Sequence, residues 1–438
     1  MRVLVVGGGG REHALVWKIA RSPLVDRIWC APGNAGIAEI AECVDIADTE
    51  IMRLRKFARE NEIDLTVVGP EAPLVEGIAD AFATSGLKVF GPVQQTAKIE
   101  GSKVFAKQLM KRHNIPTAEF RTFTAPDRAK AYLETAAETQ ERTGNEPFSI
   151  VVKADGLAGG KAAFVCDDLE EAYEALERIM VRKDFGEAGR QVVIESCLEG
   201  EEASMIAFTD GQTIAVMPSS QDHKPVGDGD TGPNTGGMGA YSPAPVITDE
   251  LATQIEREVL VQAVHALNRE EKAYHGVLYA GIMVTDDGPK VLEFNCRMGD
   301  PETQPLLMRL ESDIVPILLA TIDGELEDAD IQWDPRPTLC VVMASGGYPV
   351  EYRTGYPIEG LDEVAKMEDV MVFHAGTKVD EDTGRIVTDG GRVLGVTARG
   401  DTIEEAQKLA YEAVEKIHFR DAHWRTDIGD KAINRPDE

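Results

Sequence analysis

Short apolar segments alternate with helical stretches through residues 1–101, and no other feature constrains the fold of the chain so strongly. The first helix is predicted to begin at Glu12, soon after the first apolar segment. The pattern predicts strands at residues 2–6, 27–30, 65–68 and 87–90. Strands separated by helices favour a parallel sheet, which binds ligands at the carboxyl ends of its strands. We therefore expect a Rossmann-like ligand-binding domain in this region.

A nicotinamide dinucleotide is the alternative ligand for such a sheet, and the loops disfavour it. The glycines at residues 8–10 are followed by Arg11 and Glu12, so the third glycine of the dinucleotide fingerprint is missing. Asn34 follows the second strand, in the region where an acidic residue should bind the cofactor ribose. The loops after three strands should instead converge on another small molecule, at residues 7–11, 32–36 and 69–73.

A second polar pattern lies in a predicted strand at residues 291–297, where apolar side chains alternate with Glu293, Asn295 and Arg297. Alternate residues of a strand share one face, so a carboxylate, an amide oxygen and a guanidinium lie side by side. One carboxylate and one amide, with water and phosphate completing the shell, suit Mg²⁺ bound to a nucleotide. The same pattern also fits an edge strand with a solvated polar face.

Two short apolar runs flank a glycine-rich turn at residues 151–165. Read as a hairpin, the segment forms a flap whose backbone amides and two lysines, Lys153 and Lys161, can close over phosphates. It is not a Walker A loop, because Ala162 stands where Ser or Thr would hold Mg²⁺. Lysines beside glycines are common in hairpins, so the segment alone does not identify a site.

Two further segments suggest contacts with a nucleotide. Ser102 is predicted to cap a helix whose first turn holds Lys103, and a cation placed against the helix dipole suggests a bound anion. Residues 192–204 combine two strands with a carboxylate-rich linker, whose free backbone groups can pair with an adenine edge. A solvated lysine and a solvated acidic loop are the respective alternatives.

In this order, the helix-start lysine, strand lysine, glycine-rich flap, linker and Glu-x-Asn-x-Arg strand resemble the ATP-grasp superfamily. Two more segments, GGGGREH at residues 7–13 and QDHKPVGDGDTGPNTGGMG at residues 221–239, resemble the phosphoribosylamine-glycine ligase family within it. The resemblance covers essentially the whole chain. It departs in the flap, where Gly159 and Ala162 replace the alanine and glycine that are more usual in the family.

The resemblance implies an α/β and α+β multidomain protein. Its parts are a Rossmann-like, parallel-sheet substrate domain at residues 1–101, an ATP-grasp domain at 102–330 with a small lid at about 121–195, and a mixed β/α C-terminal domain at 331–438. The implied reaction is ATP-dependent ligation of glycine to 5-phosphoribosylamine through glycyl phosphate, a step of purine biosynthesis. An ATP-grasp enzyme for another acid or amine and a non-catalytic nucleotide sensor are the alternatives.

The resemblance also implies roles for individual residues. Mg²⁺ or Mn²⁺ is expected on Glu293 and Asn295, and Arg297 and Lys161 are expected to act in catalysis. ATP is expected to contact Lys103, Lys153, Gly159, Gly160, Lys161, Glu195, Cys197, Leu198 and Glu202. Phosphoribosylamine, glycine and the acyl phosphate are expected to contact Gly10, Arg11, Asn34, Gly36, Gly69, Pro70, Glu71, Asp222, Lys224, Asp230, Asn234, Thr235, Gly237 and Arg297.

Two long stretches complete the pattern. Residues 219–245 are rich in Gly, Pro, Asp and Asn and lack apolar periodicity, so we expect a functional or floppy loop there. After Trp333 the pattern predicts a helix capped at Asp401 or Thr402. Before that helix it predicts strands at residues 339–344, 370–378, 385–388 and 392–398.

Composition limits the partners of the chain. A formal net charge of −31 disfavours nucleic-acid and anionic-membrane partners, which require basic patches. The sequence opens directly into a strand, and no apolar run approaches the roughly 20 residues of a membrane span, so a cytoplasmic protein is expected. The six cysteines include no C-x-x-C pair and indicate neither a zinc site nor a disulfide framework. A monomer or weak homo-oligomer that binds small molecules is expected.

Overall fold

The computed structural model describes residues 1–143, 148–157 and 162–435. Its first part contains a parallel sheet in the order β3-β2-β1-β4-β5. The strands are β1 Arg2–Gly7, β2 Arg27–Pro32, β3 Glu42–Cys43, β4 Leu65–Val68 and β5 Val89–Phe90. The helices are α1 Gly10–Ile19, α2 Ile51–Glu60, α3 Glu71–Val75, α4 Ile78–Ala83 and α5 Gln94–Gly101. The predicted parallel sheet is confirmed, and burial of β1 and β4 explains their continuous apolar sequences.

Helix α1 begins at Gly10, two residues before the predicted start at Glu12. The Glu12 carboxylate accepts a hydrogen bond from the backbone N–H of Gly9 at 2.6 Å. This bond satisfies one of the donors left free at a helix N-terminus, so the glycine run itself supplies the first turn.

A helix and a separate antiparallel sheet follow. Ser102 caps α6 Lys103–Arg112 by accepting a hydrogen bond from the backbone N–H of Phe105, as predicted. The sheet has the order β6-β9-β7-β8. Its elements are β6 Phe120–Phe123, α7 Pro126–Thr143, β7 Ile150–Ala154, β8 Ala163–Cys166, α8 Leu169–Leu176 and β9 Val192–Ser196. Antiparallel pairing of β7 with β8 confirms the predicted hairpin.

The middle of the chain supplies a third sheet, in the order β11-β10-β16-β17. The strands of this region are β10 Glu201–Thr209, β11 Ile214–Val216, β12 Gln221–Asp222, β13 Pro225–Gly227, β14 Thr231–Asn234, β15 Gly239–Ser242, β16 Gly276–Thr285 and β17 Gly288–Asn295. The helices are α9 Asp249–Ile255, α10 Val261–Glu270, α11 Thr303–Arg309 and α12 Ile314–Asp323. The linker after β9 therefore joins two different sheets.

The last part of the chain contains a mixed arrangement of strands and helices. Its elements are β18 Thr338–Ala344, α13 Leu361–Val364, β19 Val370–His374, β20 Thr377–Val379, β21 Ile386–Thr388, β22 Arg392–Arg399, α14 Ile403–Val414 and α15 Asp430–Ile433. The strand predicted at 370–378 is in fact two strands, β19 and β20. Thr402 caps α14, as one of the two predicted caps.

Residues 219–245, which were expected to form a functional or floppy loop, contain four short strands. Strands β12 and β15 join β18, β22 and β19 in one sheet, and β13 pairs with β14 in a hairpin. All four residues of β15 are buried, so this strand shows no alternation of apolar and polar residues. Its pairing partner β18 lies about a hundred residues further along the sequence, which local pattern cannot reveal.

No helix in the described part of the chain is both long and apolar enough to cross a membrane. The core is shared between the regions. Buried side chains of α1 and the first sheet pack in one cluster with those of α11 and α12. This packing fixes the first sheet against the strands that carry the polar residues of the site.

Candidate active site

A cavity of about 540 Å³ lies where the first sheet, the flap, the linker and β17 meet. Most of the predicted site residues line it. These are Arg11, Pro70, Glu71, Lys103, Lys153, Glu195, Cys197, Leu198, Glu202, Asp222, Lys224, Asn234, Thr235, Glu293, Asn295 and Arg297. The structure does not bring Gly10, Asn34, Gly36, Gly69, Asp230 and Gly237 into its wall. Gly159, Gly160 and Lys161 lie outside the described residues.

Strand β17 presents Glu293 and Asn295 to the cavity. The register of its pairing with β16 shifts between Gly281 and Ile282, where a bulge locally bends the strand. Burial opposes ionisation of Glu293, but the cations of Lys224, Lys103 and Lys153 outweigh it and lower the pKa of the carboxyl. An ionised carboxylate beside an amide oxygen is a suitable pair of ligands for a hard divalent cation.

The Glu293 carboxylate also has spare acceptor capacity. Among the described residues, no hydrogen bond or ion pair within contact distance engages its oxygens. Within the described part of the chain, the neighbouring Asn295 Oδ1 accepts only a long hydrogen bond, from Arg297 at 3.3 Å. The donor set therefore fits a metal that takes oxygen ligands and fills its remaining positions with water and phosphate.

A buried ion triad lies behind the flap. The carboxylate of Glu195 pairs with Lys107 at 2.5 Å and also with Lys153. Burial opposes ionisation of Glu195, and the two lysines together lower its pKa. Burial likewise lowers the pKa of Lys107 to about 8, although Glu195 acts in the opposite direction. Glu195 therefore fixes the strand lysine, and Lys107 is a cavity residue absent from the predicted set.

The linker residues divide into two groups. Glu195 lies within β9 and is paired in register with Phe120 on one side and Val151 on the other. Cys197 and Leu198 follow the strand and line the cavity. Backbone contacts with a planar base are therefore better suited to the latter two residues than to Glu195.

Arg297 joins three parts of the chain. Its guanidinium contacts Glu71 of the first domain at 3.1 Å and Glu100 of α5 at 2.8 Å. Burial disfavours the charge, but the two carboxylates raise the pKa of Arg297 above its usual range. Burial also raises the pKa of Glu100, against the influence of Arg297. Glu100 is not part of a recognised motif, so the sequence did not predict it as a site residue.

The predicted residues Asn34 and Gly36 of the first sheet's loops are packed closely rather than open to the cavity. Asn34 donates hydrogen bonds to the carbonyl oxygens of Gly8 at 2.9 Å and His374 at 2.7 Å. A Cβ placed on Gly36 would lie 2.5 Å from both His13 and His374, so no side chain fits there. These residues join the first domain to β19, and their substrate roles stay predictions.

His13 is held neutral in this junction. Its Nδ1 accepts a hydrogen bond from the backbone N–H of His374 at 2.7 Å. Burial, with a smaller effect of His374, lowers the pKa of His13 to about 3 from an ordinary value of 6.5. The imidazole is therefore a structural acceptor rather than a proton carrier at neutral pH.

This lowered pKa makes folding sensitive to acid. As pH falls below 6.5 the unfolded chain binds a proton at His13, while the folded chain does not until about pH 3. The stabilisation is thus complete above pH 6.5 and is lost at about 1.4 kcal/mol per pH unit below it. His13→Asn keeps an acceptor near Nδ1 but cannot titrate, so urea unfolding between pH 6.5 and 4.5 should show a shallower decline. The same slope as the parent would contradict this account.

The segment after β12 brings polar groups to the opposite wall of the cavity. Lys224 pairs with Glu202 of β10 at 2.6 Å. Burial and the nearby Glu302 raise the pKa of Asp222 well above its ordinary value. Glu302 accepts a hydrogen bond from the Tyr279 hydroxyl at 2.8 Å. Asp230 points elsewhere, because its carboxylate pairs with residues near the C-terminus.

The C-terminal region also supplies a residue to the cavity. Arg392, the first residue of β22, donates hydrogen bonds to the carbonyl oxygens of Gly236 at 2.8 Å and Asp300 at 2.7 Å. It also pairs with the Asp300 carboxylate at 3.2 Å. The sequence did not predict Arg392, Asp300 or Glu302 as site residues, because none belongs to a recognisable motif.

Models of the three domains of phosphoribosylglycinamide synthetase match the chain in succession. The N domain matches residues 1–100, the ATP-grasp (A) domain residues 101–303 and the C domain residues 338–431. The chain belongs to the phosphoribosylamine-glycine ligase family. The predicted family, the multidomain fold with a parallel N-terminal sheet, and the ATP-grasp assignment are thereby confirmed. An ATP-grasp fold implies use of ATP with a divalent metal ion.

Members of the phosphoribosylamine-glycine ligase family match over the full chain. The ligase of Rhodopirellula baltica is 52% identical over 438 residues, covering 100% of this chain and 99% of that protein. The ligase of Escherichia coli K12 is 51% identical over 440 residues, covering 99% of each.

Solved structures agree with this assignment. The phosphoribosylamine-glycine ligase of Thermotoga maritima is 32% identical, with a TM-score of 0.81 over 98% of this chain and 100% of that one. A biotin carboxylase of Campylobacter jejuni in complex with an ATP compound has a TM-score of 0.74 at 13% identity, over 100% of this chain and 95% of that one. The second likeness concerns the fold alone.

Proposed function

We propose that the cavity ligates glycine to 5-phosphoribosylamine by way of glycyl phosphate, with ATP as the phosphoryl donor. The overall ATP-dependent ligation, a step of purine biosynthesis, is the activity of the family to which this enzyme belongs. One observation carries the finer proposal. A single cavity combines the lysines Lys103 and Lys153, the carboxylate Glu293 and the polar groups Lys224 and Asn234.

The reaction needs two displacements. A carboxylate oxygen of glycine attacks the γ-phosphorus of ATP, the bond from that phosphorus to the bridging oxygen breaks, and glycyl phosphate and ADP form. The amino nitrogen of phosphoribosylamine then attacks the carbonyl carbon, the bond from that carbon to the phosphate oxygen breaks, and the nitrogen loses a proton. Neither step requires a covalent enzyme nucleophile, so catalysis rests on positioning and charge stabilisation.

The polar residues of the cavity have complementary roles in this scheme. Lys103 and Lys153 would bind the ATP phosphates, and Glu195 holds Lys153 in place through its ion pair. The guanidinium of Arg297 would stabilise the transferring phosphoryl group, for which a planar fork suits better than an ammonium. Cys197 and Leu198 would contact adenine, and Glu202 the ribose. Lys161, with Gly159 and Gly160, remains a prediction outside the described residues.

Glu293 and Asn295 would hold Mg²⁺, or Mn²⁺ in its place. The ionised Glu293 carboxylate and its unengaged oxygens support this assignment, as the donor set matches a hard cation. When bound, the metal neutralises charge on the phosphates and orients them for in-line transfer. The lysines that surround Glu293 would bind the remaining phosphate charge.

Asp222 is the best placed group to accept the proton released by the amine. It lines the cavity beside Lys224, and burial and Glu302 raise its pKa well above its ordinary value, which makes its carboxylate a stronger base. A base of this kind acts only in the second displacement, because formation of glycyl phosphate releases no proton from a carboxylate.

Replacing Asp222 by asparagine should therefore separate the two steps. We expect ligation to fall by about 10²-fold or more, the usual contribution of a general base. Formation of glycine hydroxamate from glycine, ATP and hydroxylamine should fall much less, because hydroxylamine is a stronger nucleophile that attacks an acyl phosphate without a general base and then loses its proton to water. The two rates are measured by product mass and by ADP release. Equal losses in both assays would remove Asp222 from the role of base.

The ligation itself is tested by ADP release from ATP and Mg²⁺. The reactions contain glycine alone, phosphoribosylamine generated in place from ribose 5-phosphate and ammonia, or both, and the product mass is recorded. Glycine labelled with ¹⁸O in its carboxylate should transfer one labelled oxygen to the released phosphate. Ligation without this transfer would exclude glycyl phosphate, and absence of the ligation product would exclude the proposed substrates.

We further propose the division of the chain into a substrate domain at 1–101, an ATP-grasp domain at 102–330 with its lid at about 121–195, and a C-terminal domain at 331–438. The successive family matches support these bounds. We propose a monomer or weak homo-oligomer. Six free cysteines support the cytoplasm as its compartment.

A further inference from the structure

The β13–β14 hairpin, residues 225–234, is held by a segment from the far end of the sequence. Its two strands have no buried residue, and all four residues of β14 are exposed. An isolated two-stranded hairpin is marginal in water, so a hairpin with this little apolar burial depends on other contacts for its position. Residues 423–431 supply these contacts, and they are polar.

Arg425 is the centre of this polar contact. Its side chain is fully buried and contacts Asp230 at the hairpin tip at 2.8 Å. The same guanidinium donates to the carbonyl oxygen of Pro225 at 3.2 Å. A bidentate pair with Asp427, at 2.7 and 2.6 Å, fixes its orientation. Lys431 contacts the second oxygen of Asp230 at 2.5 Å.

The remaining contacts bind the tip to the same segment. The backbone N–H of Gly229 donates to Asp427 at 2.9 Å, and the backbone N–H of Thr426 donates to Asp228 at 2.8 Å. Three carboxylates therefore lie close together, and without a buried cation they would repel one another. The arrangement makes the position of the hairpin depend on the charge and the fork of Arg425.

The base of the hairpin lies in the cavity. Pro225 is paired in register with Asn234, and the carbonyl that Arg425 binds is thus directly across from a cavity residue. Lys224 precedes Pro225 and reaches Glu202, while Thr235 follows Asn234. A shift of the hairpin tip would be transmitted to these side chains over a few residues of paired backbone.

We propose that Arg425 is a positioning residue for the glycine end of the site, acting through the hairpin on Lys224, Asn234 and Thr235. The inference rests on the proposed function, since it takes these three residues as contacts of glycine and the acyl phosphate. Arg425 itself does not line the cavity and touches no reacting atom.

Steady-state kinetics of Arg425→Met in the full chain test this role. We expect the KM for glycine to rise about 10-fold or more and kcat to fall, because small misplacements of substrate contacts are costly. The KM for ATP should stay within about twofold of the parent, since Lys103 and Lys153 lie on other elements. Arg425→Lys should restore part of the glycine affinity, because a lysine retains the charge but not the fork.

Arg399→Met is the matched control. Arg399 also joins two carboxylates, Asp334 at 3.0 Å and Asp369, but contacts no residue of the hairpin. The Arg399→Met variant should have the same KM for glycine as the parent. If Arg425→Met does not fold, the Lys431→Met variant tests the positioning role instead. This substitution removes only the half-exposed contact to Asp230, and it should also raise the KM for glycine.

Lys224→Met separates the two proposals. A raised KM for glycine in Lys224→Met but not in a folded Arg425→Met would overturn the positioning role alone. An unchanged KM for glycine in Lys224→Met would overturn the glycine assignment of the proposed function. Equal changes in the KM values for glycine and ATP in Arg425→Met would also overturn the positioning role, since they indicate general destabilisation.

Discussion

Glu293→Gln is expected to retain the fold and to lose turnover. The substitution keeps the size and a hydrogen-bonding oxygen but removes a negative charge that interacts with Lys224, Lys103, Lys153 and Arg297. The proposed metal site would then consist of two neutral amides, which are poor ligands for Mg²⁺ in the presence of competing phosphate oxygens. We expect kcat to fall by about 10³-fold, in line with the loss of a key charge-stabilising group.

The measurement is ADP release with both substrates at saturating Mg²⁺, with urea unfolding as the test of folding. Glu270→Gln is the matched control, because Glu270 is a carboxylate on α10 that pairs with Arg112 outside the cavity. It should turn over like the parent. A Glu293→Gln enzyme within about tenfold of the parent in Mg²⁺ would exclude Glu293 as a metal ligand.

The sequence alone predicted the elements whose structure is determined by neighbouring residues. The apolar segments that form β1 and β4 predicted a parallel sheet. Ser102 and Thr402 predicted where α6 and α14 begin. Each of these signals lies within a few residues of the structure it specifies. The order of the nucleotide-binding motifs along the chain indicated the family, because no single motif was specific enough to do so.

The residues that were missed share a different property. Lys107 joins the site through Glu195, Glu100 through Arg297, and Arg392 through Gly236 and Asp300. Each acquires its position in the site from a partner distant in sequence. The strands β12 and β15 were missed for the same reason, because their sheet is completed by β18. The positions of these residues and strands thus depend on contacts between distant parts of the sequence, which local sequence patterns cannot reveal.

The glycines of the first loops have a structural reason that the sequence did not reveal. Gly10 and Gly69 were predicted to contact the substrate. A Cβ on Gly69 would lie 2.0 Å from Glu12, and one on Gly10 would lie 2.6 Å from Gln304. Close side-chain packing therefore already requires glycine at both positions. A substrate contact through their backbone remains a prediction that the packing neither needs nor excludes.

Arg297→Lys should lower both the stability of the enzyme and its rate. The planar fork of Arg297 contacts Glu71 through Nε at 3.1 Å, and through Nη2 it contacts Glu100 at 2.8 Å and Asn295 at 3.3 Å. A lysine carries a single nitrogen and cannot satisfy all three. Glu100 is buried and would lose its close partner, so we expect unfolding to become easier by about 2 kcal/mol, less than for removal of the charge altogether.

The loss of rate should exceed what this stability change explains. Arg297 lines the cavity next to Asn295, so a displaced cation would stabilise the transferring phosphoryl less well, and we expect kcat to fall by about 10²-fold. Glu100→Gln is the control, because it removes one carboxylate partner but leaves the fork and its contact with Glu71. Its loss of stability should resemble that of Arg297→Lys, while its kcat should stay closer to the parent. If Arg297→Lys matched the parent kcat, the fork would serve only to join the first domain to β17.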